Sequence, residues 1–193
     1  MKNLLTELRI SLVATLSLAV ILCGIYPMIM WVLSQGLFSH KANGSLVISK
    51  GTVIGSSLLG QGFTDPKYFH SRPSAAGEGY DATHSGGTNW GPLSKKLIHT
   101  VSGRVTAYRV ENDLPPVTPV PVDGVTASAS GLDPHISVKN ALLQARRVAR
   151  ARDLSLEVVM KKIGTHTEGR TLRVLGEPRV NVLMLNLDLD GRL

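Results

Sequence analysis

The stretch from Ile10 to Leu33 holds 24 residues and no charge. No other feature of the chain constrains its fold so strongly. As a helix rising about 1.5 Å per residue it spans roughly 36 Å, enough to cross a hydrocarbon core of about 30 Å with some tilt. Trp31 stands near one end, where an interfacial aromatic belongs. Pro27 lies inside the run and predicts a kink, because proline removes a backbone donor. The competing reading is a cleaved signal peptide. The run exceeds the usual signal core of about 7–15 residues, and only Ser34-Gln35-Gly36 offers a small-x-small site after it. The expected organisation is a short tail (1–9), a transmembrane helix (10–33), a polar link (34–45) and a small soluble α+β domain (46–193).

Charge gives little direction across the membrane. Lys2 and Arg9 precede the segment with Glu7 among them, and Lys41 and Lys50 follow it, so the flanking cations nearly balance. The free amino terminus tips the count toward a cytoplasmic N-terminus and an exported domain. Residues 10–193 carry 19 Lys and Arg against 13 Asp and Glu. That excess does not overturn the orientation, since long domains cross largely regardless of charge. The one cysteine, Cys23, sits in the apolar run, which removes disulfide and thiol chemistry from the rest of the chain.

Beyond the anchor, β-branched runs broken by Gly51 and Gly55 predict two short strands around a turn. Arg72–Pro92 is rich in Gly, Ser and Thr and reads as a long loop. Pro92 is a suitable first residue for a helix reaching about Val110, with Leu93, Leu97, Val101 and Val105 recurring every four residues. Four prolines between Asn112 and Gly124 predict an extended connector. Ser137 is an N-cap for a helix from Val138 to Arg152. Its apolar stripe is Val138, Ala141, Leu142, Ala145, Val148 and Ala149; Gln144 lies at the stripe's edge, and Arg146, Arg147 and Arg150 point elsewhere. Ser155 caps a second helix to about Gly164, with Val158 or Val159 and Ile163 inward. The closing RVNVLMLNLDLD predicts a largely buried strand.

Candidate chemistry is thin. Gly55–Gly62 has the glycine spacing of a phosphate loop, but Gln61 replaces the lysine and Gly62 the hydroxyl residue. Ser128 or Ser130 with Asp133 and His135 forms a triad only on paper, since residues so close along a chain seldom hold triad geometry. The six histidines show no metal-ligand spacing. The arginine helix is the best physical candidate. Arg146, Arg147 and Arg150 would form an anion-binding face, against the alternative of a solvated helix side favoured by the dipole. The scarcity of aromatics, 5%, weakens nucleic acid as its ligand.

Eight motifs then run in order along nearly the whole chain. They are GIYP (Gly24–Pro27, with Tyr26), ANGSL (Ala42–Leu46), IGSSLLGQGF (Ile54–Phe63), YFHSRPSA (Tyr68–Ala75), SGGTN (Ser85–Asn89), VTASASGLDPHIS (Val125–Ser137), Q-x-x-RVARAR (Gln144–Arg152) and GEPRVNVL-x-LNL-x-LD (Gly176–Asp190). With them the chain resembles the C subunits of the Kdp potassium-transporting ATPases. The resemblance implies a single-pass accessory subunit of a bacterial inner-membrane pump, with no catalytic site of its own and no nucleic-acid partner. Its implied partners are a channel-like subunit that selects potassium and a P-type ATPase subunit that hydrolyses ATP. It also implies two rival roles for the soluble domain: raising the pump's ATP affinity, with Gln144 touching nucleotide, or capping the potassium entrance from outside. ATP would come only through the pump subunit, and no bound metal or firmly held cofactor is implied. Interface candidates carried by these motifs are Ser130, Gly131, Leu132, Asp133, Pro134, His135 and Ser137, with Arg147 and Arg150. The alternative reading is a membrane-anchored binder of anionic polymer through the arginine helix 138–152.

Overall fold

The computed structural model describes residues 2–193. They form two compact units, 2–46 and 47–193, and each is treated by itself.

The first unit is one long helical rod: α1 (Lys2–Ala19), a π-helical turn (Val20–Ile25) and α2 (Tyr26–Ala42). Asn3–Ala42 is long and apolar enough to cross a membrane. Pro27 makes itself felt one turn upstream. Its ring presses on the preceding turn and it donates no hydrogen bond there. The widened turn relieves that crowding, and Tyr26 N–H reaches back five residues to the Ile21 carbonyl. Residues 34–42, expected as a polar link, continue the helix instead, with one local distortion at Phe38. They contain no proline to stop it, and the stop comes later, at ANGSL. There Ser45 N–H donates to His40 O (3.0 Å) and Gly44 N–H to Lys41 O (3.2 Å), with Gly44 at φ 86°. This is the Schellman arrangement, in which a glycine in the left-handed region closes the last turn.

A hairpin begins at the boundary and runs into the second unit, with β1 (Leu46–Ser49) and β2 (Thr52–Ser56) turned by Lys50 and Gly51 at positive φ. A long loop follows to α3 (Lys95–Glu111). This helix starts three residues after Pro92, because the Ser94 side chain accepts from Leu97 N–H and sets the cap there. After the proline connector come β3 (His135–Ser137), α4 (Val138–Ala151), α5 (Leu156–Thr165), β4 (Thr167–Glu168), β5 (Arg179–Asn181) and α6 (Val182–Leu189). The sheet is antiparallel in the order β3-β5-β4. Its core gathers Phe69, Ile136, Ala145, Val148, Val159, Ile163, Val180 and Leu185. Val159, and not Val158, is the inward valine of α5.

The closing segment departs from the sequence expectation. Only 179–181 is strand; Asn181 then accepts from Met184 N–H and caps α6. Val182, Leu183, Leu185, Asn186 and Leu187 are all buried. A helix buried nearly all round carries no 3.6-residue alternation, so its apolar run is indistinguishable from that of a buried strand.

Candidate functional site

One polar stripe of α4 is buried beside its apolar one. Ser137, Asn140, Gln144 and Arg147 follow one another at helical spacings of three and four, so they stack along one face. Gln144 is 2% exposed and Arg147 9%. Gln144, at the edge of the apolar stripe, is thus buried with it, while Arg147, expected on an anion-binding or solvated side of the helix, turns inward instead. A cation on this face is tolerable only because its donors are matched, since an unpaired buried charge is strongly unfavourable. Arg147 Nη1 donates to Pro66 O (2.6 Å) and Tyr68 O (2.9 Å), Nε to Asn112 Oδ1 (3.0 Å) and Nη2 to Gln144 Oε1 (2.9 Å).

The Gln144 amide is also fully used. Its oxygen accepts from His70 N–H (2.7 Å) as well as from Arg147, and its nitrogen donates to Asn140 Oδ1 (2.8 Å) and His70 O (3.2 Å). Two donors and two lone pairs exhaust a carboxamide. Asn140 passes the chain on: its oxygen accepts from Tyr108 O–H (2.7 Å) and its nitrogen donates to Asp123 (2.9 Å). Asp123 in turn receives the Ser137 N–H (2.7 Å) and O–H (2.9 Å). The ladder ties α4 to loop 66–70, to α3 and to the connector. Gln144 borders a cavity of about 220 Å³ that is also lined by His70, Tyr80, Tyr108 and Glu111. His70 Nδ1 lies 2.7 Å from Glu111 there, and its hydrogen bond holds the Glu111 carboxyl below its ordinary range.

The other arginines divide. Arg152 donates to Lys67 O (2.6 Å) and pairs with Asp190 (2.8 Å) while lying over the Tyr68 ring. Arg150 is exposed and pairs with Asp113. The anion-binding row of Arg146, Arg147 and Arg150 loses its middle member to the interior.

The Val125–Ser137 segment is a staple between loops. Gly131 adopts φ 69°, and a Cβ there would stand 2.6 Å from Ala76 N and 2.8 Å from Gly86 O. Ser130 O accepts from Gly86 N–H (3.0 Å), Gly131 O from Ser74 O–H (2.7 Å), Leu132 O from Gly60 N–H (2.7 Å) and Pro134 O from Val182 N–H (3.0 Å). The glycines of the would-be phosphate loop thus serve close packing, with Gly60 pressed on the Asp133 carbonyl. Ser130 Oγ accepts from Leu132 N–H, and the His135 ring faces Asp133 and Glu168. The serine and the histidine of the paper triad are turned to different partners. Among the described residues, no group of three or more His, Cys, Asp or Glu is placed to hold a metal.

Asp133 carries a pH consequence. Burial raises its pKa, but hydrogen bonds from His135 and Arg72 outweigh that and hold it at about 2, against an ordinary 3.8. The folded value is depressed, so its stabilisation is present above pH 3.8 and lost as pH falls through about 2. The unfolding free energy of the full chain in detergent, read from urea titrations, should fall between these limits by an amount on the order of 1 kcal/mol, since solvent screens a half-buried group. Asp133→Asn should flatten that part of the profile and lower stability at neutral pH.

These features define a class: a membrane-anchored chain whose extramembrane unit uses its most polar side chains to brace itself. The family model of the K+-transporting ATPase c chain matches residues 8–191. The chain is 50% identical over 190 residues to the potassium-transporting ATPase KdpC subunit of Koribacter versatilis, covering 98% of this chain and 95% of that one. It is 52% identical over 189 residues to the KdpC subunit of Mycobacterium bovis, covering 98% of each. To that of Nitratidesulfovibrio vulgaris it is 53% identical over 189 residues, covering 97% and 95%. The chain belongs to the family of potassium-transporting ATPase C chains.

The sequence reading missed Asp123, Asn140 and Arg72. A signal existed for Asn140: with Ser137, Gln144 and Arg147 it forms a polar stripe at helical spacing.

Proposed function

We propose that this chain is an accessory, non-catalytic subunit of an ATP-driven potassium pump. It is held in the bacterial inner membrane by its N-terminal helix, and it assembles with and stabilises the channel-like and P-type ATPase subunits. The single observation that carries the reading is the family match over 8–191, nearly the whole chain. The saturation of Gln144, and the engagement of Arg147 and Asn140 by internal partners, support a bracing role for the residue types that chemistry would need. Any rise in the pump's ATP affinity then works through assembly, because Gln144 has no hydrogen-bonding capacity left for a nucleotide. The second unit lies outside the cytoplasm, on the narrow balance of flanking charge.

Two measurements test this. Tagged full-length chain should retain both large subunits in mild detergent, and its deletion should abolish high-affinity potassium uptake; isolation as a lone monomer with uptake unchanged refutes the reading. Orientation is read by Lys161→Cys in a Cys23→Ser background, at an exposed position of α5. An impermeant thiol reagent should label it in intact cells. Labelling only after lysis would put the unit on the ATP side.

A further inference from the structure

Between β4 and β5 the chain makes an excursion whose local chemistry runs against its own conformation. Val174 N–H donates to Thr171 O (3.2 Å), and Thr171 and Leu175 bridge through two bonds of 2.9 Å. The two central residues of this turn, Leu172 and Arg173, both have positive φ, 53° and 64°. Two consecutive left-handed residues are the pattern in which turns favour Asn-Gly, and side chains such as Leu and Arg rarely adopt it. Around it, Leu172 is 83% exposed, Val174 73% and Leu175 60%. At the base Arg170 Nη2 grips both oxygens of Glu177 at 2.8 and 2.7 Å, which closes the loop. The Arg173 side chain is exposed, and among the described residues it pairs with no carboxylate.

We propose that residues 170–177 form a preformed knob that docks into an apolar depression, flanked by a carboxylate, on the extramembrane face of a partner subunit of the pump. Leu172, Val174 and Leu175 are the apolar anchors and Arg173 meets the acid. This rests on the accessory-subunit reading above. A water-exposed loop with no partner gains nothing from three clustered aliphatic side chains on a strained turn, and local rule-breaking of this kind concentrates at functional contacts. Bracing the loop in advance lowers the ordering entropy lost on binding. The unpaired guanidinium supplies the charge complementarity that fixes orientation. A fluid lipid surface would reward the aliphatics and the cation but not the fixed shape, so the rigidity favours a protein partner.

The deciding variant is Leu172→Asn with Arg173→Gly. It installs the residues the turn prefers while erasing one anchor and the charge. The full chain purified alone in detergent should melt roughly 2–4 °C higher. The same variant should lose about tenfold or more of its retained channel-like and P-type subunits under detergent wash, as should Leu172→Asp, while wild type keeps them. Wild-type retention matched by the stabilised variant overturns the knob and leaves the accessory reading intact. Failure of wild type itself to retain partners overturns the accessory reading first. In a Trp31→Phe, Trp90→Phe background, which leaves residue 172 as the one tryptophan of the chain, Leu172→Trp reconstituted in proteoliposomes should resist quenching by brominated lipid; strong quenching would put the knob in lipid and overturn the proposal.

Discussion

Arg147→Ala is expected to cost the second unit about 3–5 kcal/mol, the range for removing one partner from a buried, charge-containing network. The substitution strands four acceptors at once: Pro66 O, Tyr68 O, Asn112 Oδ1 and Gln144 Oε1. It also leaves Glu111, 3.9 Å from Arg147 Nε, with less positive charge nearby. Loop 66–70 hangs on these bonds and on the backbone of Phe69, whose N–H and C=O are held by Asn186 at 2.8 and 2.9 Å. Arg147→Lys should recover only a minor part, because an ammonium donates from one nitrogen and cannot span the separated acceptors that three guanidinium nitrogens reach. Chemical denaturation of the full chain in detergent measures both. A loss below about 1 kcal/mol for Arg147→Ala would show that water takes over these contacts and that the ladder is not a brace.

That result would also bear on why the site was only half legible in the sequence. The anchor, the hairpin, the caps at Ser137 and Ser155 and the start of α4 follow from local rules, because a hydroxyl before a helix or an uncharged run of membrane length acts on its near neighbours alone. The ladder does not. A stripe of Asn, Gln and Arg has the same local pattern whether water or protein satisfies it. Its partners lie 35 to 81 residues away for Arg147 alone, at Asn112 and Pro66. The helix dipole accounts for cations near the end of α4 without revealing that Arg147 and Arg152 turn inward. Likewise α6 hid in its own hydrophobicity: burial on every side erased the period that would have marked it as a helix. The family motifs were recognisable as strings, but their physical meaning needed coordinates. ANGSL is a helix stop, and the two glycines Gly60 and Gly131 are points of close approach between segments far apart in the chain.

Gly131 gives the second large effect. Gly131→Ala is expected to destabilise by about 2–5 kcal/mol, from a left-handed residue given a side chain and from overpacking. The neighbours cannot yield cheaply. The new Cβ would meet Ala76 N at 2.6 Å, Gly86 O at 2.8 Å and Ala76 Cβ at 2.9 Å, none of them the free end of a flexible side chain. Moving either loop away stretches the bonds that Ser130 O and Gly131 O accept from Gly86 N–H and Ser74 O–H. Gly191→Ala separates the two causes, since Gly191 has a similar φ of 65° but nothing within 4 Å of its would-be Cβ. It should cost only about 1 kcal/mol, the conformational part. Thermal and urea unfolding of both variants in the full chain make the comparison. Equal losses would mean that backbone conformation alone explains the glycine. A clear excess at Gly131 would mean that VTASASGLDPHIS is held by the close approach of loops 74–87 and 125–137, which is the role its hydrogen bonds assign to it.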